Sequence, residues 1–163
     1  MNEMQLLTLL ADDPRATITD LADILGETED AVKNAKEELE KNKVICGYHT
    51  VINWDKTNQE HVDALIGVSA KPERGKGYDK IAERIARFPE VSTLNLMSGN
   101  YEFMVSINAK TMREVADFVG EKLAPIDGVA ATVTMFVLKK YKVNGILMDM
   151  EAEIQDDRLP VSA

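Results

Sequence analysis

The chain has 163 residues, 45% of them hydrophobic and 29% charged, and a net charge of −9. That length accommodates one or two domains, and that composition excludes a globally disordered chain. A single cysteine, Cys46, rules out an intrachain disulfide framework, and no apolar run nears the roughly 18 residues of a membrane span, so a soluble cytoplasmic protein with no membrane partner is expected.

The first sixty residues read as short helices with tight punctuation. Met4, Leu6, Leu7 and Leu10 recur at helical spacing, predicting a helix over 2–11 that Asp12-Asp13-Pro14 stops. Thr19 is expected to cap a second helix carrying Leu21, Ala22, Ile24 and Leu25, with Gly26 ending it in the left-handed conformation. Thr28 then caps a third helix. Glu29 and Asp30 suit the dipole of its first turn, Val32, Ala35 and Leu39 form its buried stripe, and Lys41 and Lys43 lie near its end. Helix, short helix, tight turn and helix is the layout of a helix-turn-helix. Residues 44–53, VICGYHTVIN, are β-branched and aromatic and read as a strand, and the polar run that follows marks a hinge.

A second pattern starts at His61. Val62, Ala64, Ile66, Val68 and Ala70 alternate as a strand. Ile81, Ile85 and Phe88 mark an amphipathic helix. A strand over 91–98 is followed by a hairpin turn at Gly99-Asn100. Tyr101, Phe103, Val105 and Ile107 alternate as a third strand. Thr111 and Glu114 form a capping box before a helix with Val115, Phe118, Val119 and Leu123 on one face, and Val129–Val143 reads as one long last strand. The order βαββαβ is ferredoxin-like, with two helices on one face of an antiparallel sheet, and a second copy of the chain is the economical cover for the other face. The fold class is therefore α+β: a winged-type helix-turn-helix domain joined by a strand linker to a ferredoxin-like domain. The predicted organisation is 1–53 for the first domain and linker, 54–60 for the hinge, 61–145 for the second domain and 146–163 for an acidic tail. In the tail, Ile146, Leu147, Met150 and Ile154 are spaced for one or two helical turns.

Catalysis finds little support. The GKG at 75–77 lacks the spacing of a phosphate-binding loop, and no nucleophile elbow or metal-ligand spacing is present. His49 and His61 lie on different segments and read as ordinary surface or interface histidines. Cys46 reads as a small apolar strand residue, the pairs Glu37-Glu38 and Asp156-Asp157 as solvated faces, and Trp54 as packing at the domain junction. No catalytic residue, metal or cofactor is expected. The charge is uneven: residues 1–60 carry −7, residues 61–145 carry +2 and residues 146–163 carry −4. The acidity of the first segment weighs against a nucleic-acid partner.

The helix-turn-helix followed by LEKNKVICGYHTVIN at 39–53 resembles the Lrp/AsnC, or feast/famine, regulators. In that family the third helix ends in a Leu-Glu pair and a Val-Ile-x-Gly-Tyr strand begins the linker. Leu39, Glu40, Val44, Ile45, Gly47 and Tyr48 stand at those positions. SGNYEF at 98–103 and Gly128-Val129 resemble the same family's sensing domain. The resemblance covers about residues 1–145 and rests on the order of the motifs across two domains.

What the resemblance implies is a transcriptional regulator, not an enzyme. Its partners would be double-stranded DNA, a small effector such as an amino acid bound at contacts between dimers, and further copies of itself in a homodimer, tetramer or octamer. The third helix would enter the major groove, with paired helices about 34 Å apart on the DNA. Arg15, Thr17, Thr28, Lys33, Asn34 and Lys36 would contact DNA. This helix carries no arginine, so the Arg fork on guanine is missing and Asn34 is the residue suited to reading adenine. Binding is expected to be weak per dimer and aided by avidity. Ser98, Gly99, Asn100 and Glu102 would hold the effector, with hydroxyls from Thr132 and Thr134. Asn100 and Glu102 depart from the family's Gly-Asp-Tyr-Asp turn. The competing reading from the residues is an oligomeric small-molecule-binding or interaction module with a weakened DNA-binding domain. A third, a tetrapyrrole-processing decarboxylase of similar architecture, ranks last because the sensing domain has only His61.

Overall fold

The computed structural model describes residues 2–72, 75 and 77–148, and the chain divides into two compact units after Thr50. The first unit holds three helices, α1 (Glu3–Asp12), α2 (Ile18–Leu25) and α3 (Glu29–Lys41). Asn2 caps α1 by accepting from the backbone N–H groups of Met4 and Gln5. Thr17, not Thr19, caps α2: Thr17 and Asp20 satisfy each other's backbone N–H, so the capping box starts the helix two residues before the expected position. Gly26 ends α2 at φ 67°, and Gly26–Thr28 forms a three-residue turn into α3. Leu6, Leu10, Leu21, Ala22, Val32 and Leu39 are buried together. Helices this short are marginal in isolation, so the shared core stabilises all three. Met4 and Ile24 belong to the apolar sequence pattern but stay exposed.

Residues 44–53 form no strand, and no wing is present among the described residues 2–50. The β-branched composition is there, but a strand needs a neighbouring backbone to pair with, and none of the described residues of this single chain forms a ladder with this segment. Cys46 is exposed rather than packed as a small apolar residue, and its Sγ donates to the Lys43 carbonyl at 3.1 Å.

In the second unit β1 (Val62–Ala70), α4 (Asp79–Ala86), β2 (Val91–Leu96), β3 (Phe103–Ala109), α5 (Met112–Phe118) and β4 (Val129–Phe136) give the ferredoxin-like order. The sheet runs β2-β3-β1-β4, antiparallel throughout. Ala64, Ile66 and Val68 of β1 and Phe103, Val105 and Ile107 of β3 are buried against Ile81 and Ile85 of α4 and Val115, Phe118 and Leu123 at α5. Both helices thus cover one face. Leu65, Val133 and Met135 lie on the other face and remain exposed.

Several details depart from the sequence pattern. β2 stops at Leu96 and β3 starts at Phe103, so the connection is a six-residue loop, Met97–Glu102, closed by Met97 N–H donating to the Glu102 carbonyl at 2.8 Å. A two-residue type I′ turn needs positive φ at both central residues, and only Gly99 has it. At α5 the box is displaced: Thr111 accepts from Glu114 N–H, but the Glu114 carboxylate accepts from Lys110 N–H. The helix then widens into a π turn over Val119–Leu123, which brings Phe118 and Leu123, five residues apart, onto the same core. β4 ends at Phe136 instead of running to Val143. Asn144 (φ 47°) and Gly145 (φ 84°) make the tight turn of a small hairpin, β5 (Lys142–Val143) and β6 (Ile146–Leu147). Ile146 and Leu147 are therefore extended, not helical; Met150 and Ile154 lie outside the described residues. No helix among the described residues is long and apolar enough to cross a membrane, and no acidic, histidine or cysteine cluster suited to a metal occurs among them.

Gly128 enters β4 at φ 94°, where an added Cβ would meet Ile81 Cδ1 at 2.6 Å and the Lys71 carbonyl oxygen at 3.3 Å. Gly120 lies in the π turn with open space around it. Gly128→Ala is expected to destabilise by about 1–3 kcal/mol, and Gly120→Ala to be neutral or to stabilise by up to about 1 kcal/mol. Urea unfolding midpoints check both, and equal effects would contradict this account.

Candidate DNA-contacting helix and effector loop

The turn between α2 and α3 is braced by side chains as well as by Gly26. Thr19 Oγ1 donates to Glu29 Oε1 at 2.8 Å, fixing the first turn of α3 against α2. Thr28 caps α3 by accepting from Ala31 N–H at 3.2 Å, which leaves its hydroxyl proton free to donate outward. The Thr17 hydroxyl is engaged twice: it donates to Asp20 Oδ2 at 2.6 Å and accepts from Asp20 N–H at 3.1 Å. Arg15 is 91% exposed, with its Nε 3.5 Å from Asp13 Oδ1. Lys33 and Asn34 are exposed side by side on α3, whereas Lys36 is half-buried with its ammonium 5.2 Å from the centre of the Tyr48 ring. Asp30, Glu37 and Glu38 are exposed on the same helix. Lys33 and Asn34 are thus open to solvent, Thr28 and Arg15 lie at helix starts and loops of the same unit, and Lys36 is turned to a partner inside it.

The Met97–Glu102 loop, the candidate effector site, is held to β1 from two sides. Glu102 Oε2 accepts from Ala70 N–H at 2.7 Å, at the end of β1. Tyr101 lies flat over Gly67: an added Cβ there would stand 2.6 Å from Tyr101 Cδ2. Tyr101 is therefore on the open face of the sheet, opposite Phe103, and does not continue the alternation of β3. Ser98, Gly99 and Asn100 are exposed at the tip of the loop, and Gly99 has φ 147°. Thr132 pairs with Val68 and Thr134 with Ile66, both fully buried, so the two threonines share the helix-covered face rather than the face that Tyr101 overlies. One carboxylate oxygen of Glu102 is committed to the backbone of β1. The polar groups at Ser98–Asn100 are the exposed part of the loop.

Two further clusters lacked a sequence signal because each joins a local group to a residue distant in the chain, Lys140 in one and Glu90 in the other. Trp54 stacks on His61, with ring centres 5.1 Å apart, and His61 Nε2 lies 3.0 Å from Asp63 Oδ1; Lys140 pairs with the other oxygen of Asp63. These residues border a cleft of about 100 Å³. A larger cleft of about 290 Å³ lies between β3 and α5, lined by Glu90, Glu114, Asp117, Glu121 and Lys122. The Lys122 ammonium bonds Glu90 and holds its carboxyl below the usual carboxylate range.

Residues 63–147 match the model of the Lrp/AsnC ligand binding domain. An uncharacterized HTH-type transcriptional regulator of Bacillus subtilis, YugG, is 42% identical over 161 residues, covering 98% of this chain and 96% of that protein. The HTH-type transcriptional regulator LrpA of Pyrococcus abyssi is 34% identical, covering 84% of this chain and 94% of its own. A transcriptional regulator of Neisseria meningitidis, solved as a complex with L-Met, shares the fold at a TM-score of 0.68 and 20% identity, over 90% of this chain and 95% of that one. The chain belongs to the Lrp/AsnC family of helix-turn-helix transcriptional regulators, with a ligand-binding domain in its second half.

Proposed function

We propose that this regulator reads duplex DNA with α3, as a homodimer joined through its open sheet faces, and responds to an amino acid at the Met97–Glu102 loop. The observation that carries the reading is the pairing, in one chain, of a braced three-residue turn into α3 with a sensing-type loop pinned to β1. Lys33 supplies phosphate contact and Asn34 base contact, with the Arg15 guanidinium and the Thr28 hydroxyl as further donors to the phosphates, while Thr17, whose N–H and hydroxyl are both held by Asp20, acts by starting α2. Leu65, Val133 and Met135, partly exposed on the uncovered sheet face, favour self-association there, and larger assemblies of tetramer or octamer size would add avidity. The backbone N–H groups near Gly99 suit an effector carboxylate. Ser98 and Asn100 add polar contacts, the uncommitted oxygen of Glu102 suits an ammonium, and Thr132 and Thr134 act from within the sheet by shaping β4. The complex of the Neisseria regulator with L-Met supports the amino-acid class. A cytoplasmic location follows from DNA binding. Exposed Asp30, Glu37 and Glu38 on α3 favour a second reading, an assembly module that holds DNA weakly.

Lys33→Gln is expected to weaken binding to duplex DNA and to lower the slope of log affinity against log salt by about 0.9 for each phosphate it ceases to neutralise. Fluorescence anisotropy across a salt series measures it, and an unchanged slope would remove Lys33 from the interface. Gly99→Val places a side chain at φ 147° on the exposed tip without a clash nearby. It is expected to abolish any amino-acid-induced shift in thermal midpoint or assembly size while the chain remains folded and dimeric. A variant that responds like the parent would sink the loop assignment.

A further inference from the structure

Tyr48 follows α3 in a segment that forms no strand, yet it is held there from two sides. The chain leaves α3 through Lys43, a non-glycine residue at φ 60°. Val44 and Ile45 N–H then both donate to the Leu39 carbonyl, at 2.9 and 3.1 Å, and Ile45 packs on the helical core. This sharp reversal lays the following residues back along α3. The Tyr48 hydroxyl donates to Glu40 Oε1 at 2.8 Å, and the Lys36 ammonium sits over the Tyr48 ring.

Lys36 and Glu40 are four residues apart on one helical face, with the lysine N-terminal, the weaker order for a direct pair. Tyr48 lies between them as a third member, its π face to the cation and its hydroxyl to the anion. Burial, and then the Glu40 carboxylate, push the Tyr48 phenol up to about 12. A folded-state value raised above the free value favours the protonated phenol. Its contribution to stability is complete below about pH 10 and is lost as pH rises toward 12.

We infer that Tyr48 is a positioning residue for DNA recognition: it closes Lys36 and Glu40 into one charge-balanced unit, so that Lys33 and Asn34 rather than Lys36 present α3 to DNA. The inference rests on the reading of α3 as the DNA-contacting helix. A carboxylate with its proton donor removed is free to swing toward the phosphates and repel them. An acidic helix with few cations is sensitive to a single such group. The capped Glu40 is thus harmless to binding only while Tyr48 holds it.

The test uses the full chain and sheared duplex genomic DNA, with binding followed by anisotropy over a salt series. Tyr48→Phe keeps the ring under Lys36 and removes only the hydroxyl. It is expected to weaken binding about threefold to tenfold. Glu40→Gln alone is expected to change affinity less than about twofold, yet to restore most of the affinity in the Tyr48→Phe background. Lys36→Gln is expected to leave the salt slope unchanged, whereas Lys33→Gln lowers it. A merely structural Tyr48 would show no rescue, so equal Glu40→Gln effects in both backgrounds overturn the inference. A Lys36→Gln slope lowered as much as that of Lys33→Gln overturns it as well. If Lys33→Gln also leaves the slope unchanged, the reading of α3 fails and the inference falls with it. Should Tyr48→Phe melt early, ultraviolet titration decides instead. The inference requires a phenol in the parent titrating above the free value that Glu40→Gln lowers, and an unmoved titration overturns it.

Discussion

The second unit depends on the backbone of β1. It lies between β3 and β4 and pairs with both along most of its length, so these two strands take their positions from it directly and β2 through β3. Its alternating residues Ala64, Ile66, Val68 and Ala70 point into the core under α4 and α5. The intervening face carries Leu65 and Gly67 toward the side that no helix covers. Gly67 matters because it lacks a side chain: the Tyr101 ring occupies the space a Cβ would fill. The N–H at Ala70 matters because Glu102 takes it. Both anchors of the Met97–Glu102 loop are therefore features of β1. The Met97–Glu102 loop is thereby coupled to the centre of the sheet.

The first unit solves a different problem with short-range bonds. Three short helices share six buried residues, and that small core leaves the angle between α2 and α3 to be set by local devices. The Thr17–Asp20 box starts α2, Gly26 stops it, and Thr19 reaches Glu29 to hold the next helix. The carboxylates that make this segment acidic are thus partly structural. Asp20 and Glu29 brace the turn, Asp13 holds the Arg15 backbone and Glu40 holds Tyr48. The remaining carboxylates Asp30, Glu37 and Glu38 are exposed on α3, so any phosphate approaching this helix meets negative charge that salt screens.

Much of this was legible in the sequence where periodicity was strong. The alternation in β1, the helical stripes of α3 and α4, and the glycine after α2 each correspond to the element formed. Two of the departures share a cause: a strong local signal masks a weaker but decisive one. Val129–Val143 is apolar enough to read as one strand, yet Asn144-Gly145 demands its own hairpin turn. Thr17 and Thr19 both suit a cap, and Asp20 three residues after Thr17 decides between them. The run at 44–53 has strand composition, but pairing is a property of neighbours and not of composition. For the site, the loop and α3 were legible as motifs. The contacts of Tyr48 with Lys36 and Glu40, the placement of Tyr101 over Gly67 and the Trp54–His61–Asp63–Lys140 cluster were not, because each depends on contacts that spacing along the chain does not encode.

The most direct test of the central claim is retention of fragmented genomic DNA from the source organism on the purified chain at low salt, with and without pooled amino acids, read by sequencing. A sequence-reading, effector-sensing regulator predicts enrichment of a few upstream regions and a change in that enrichment when amino acids are added. A folded, oligomeric chain that enriches no region would contradict the account and identify the acidic α3 as part of an assembly module.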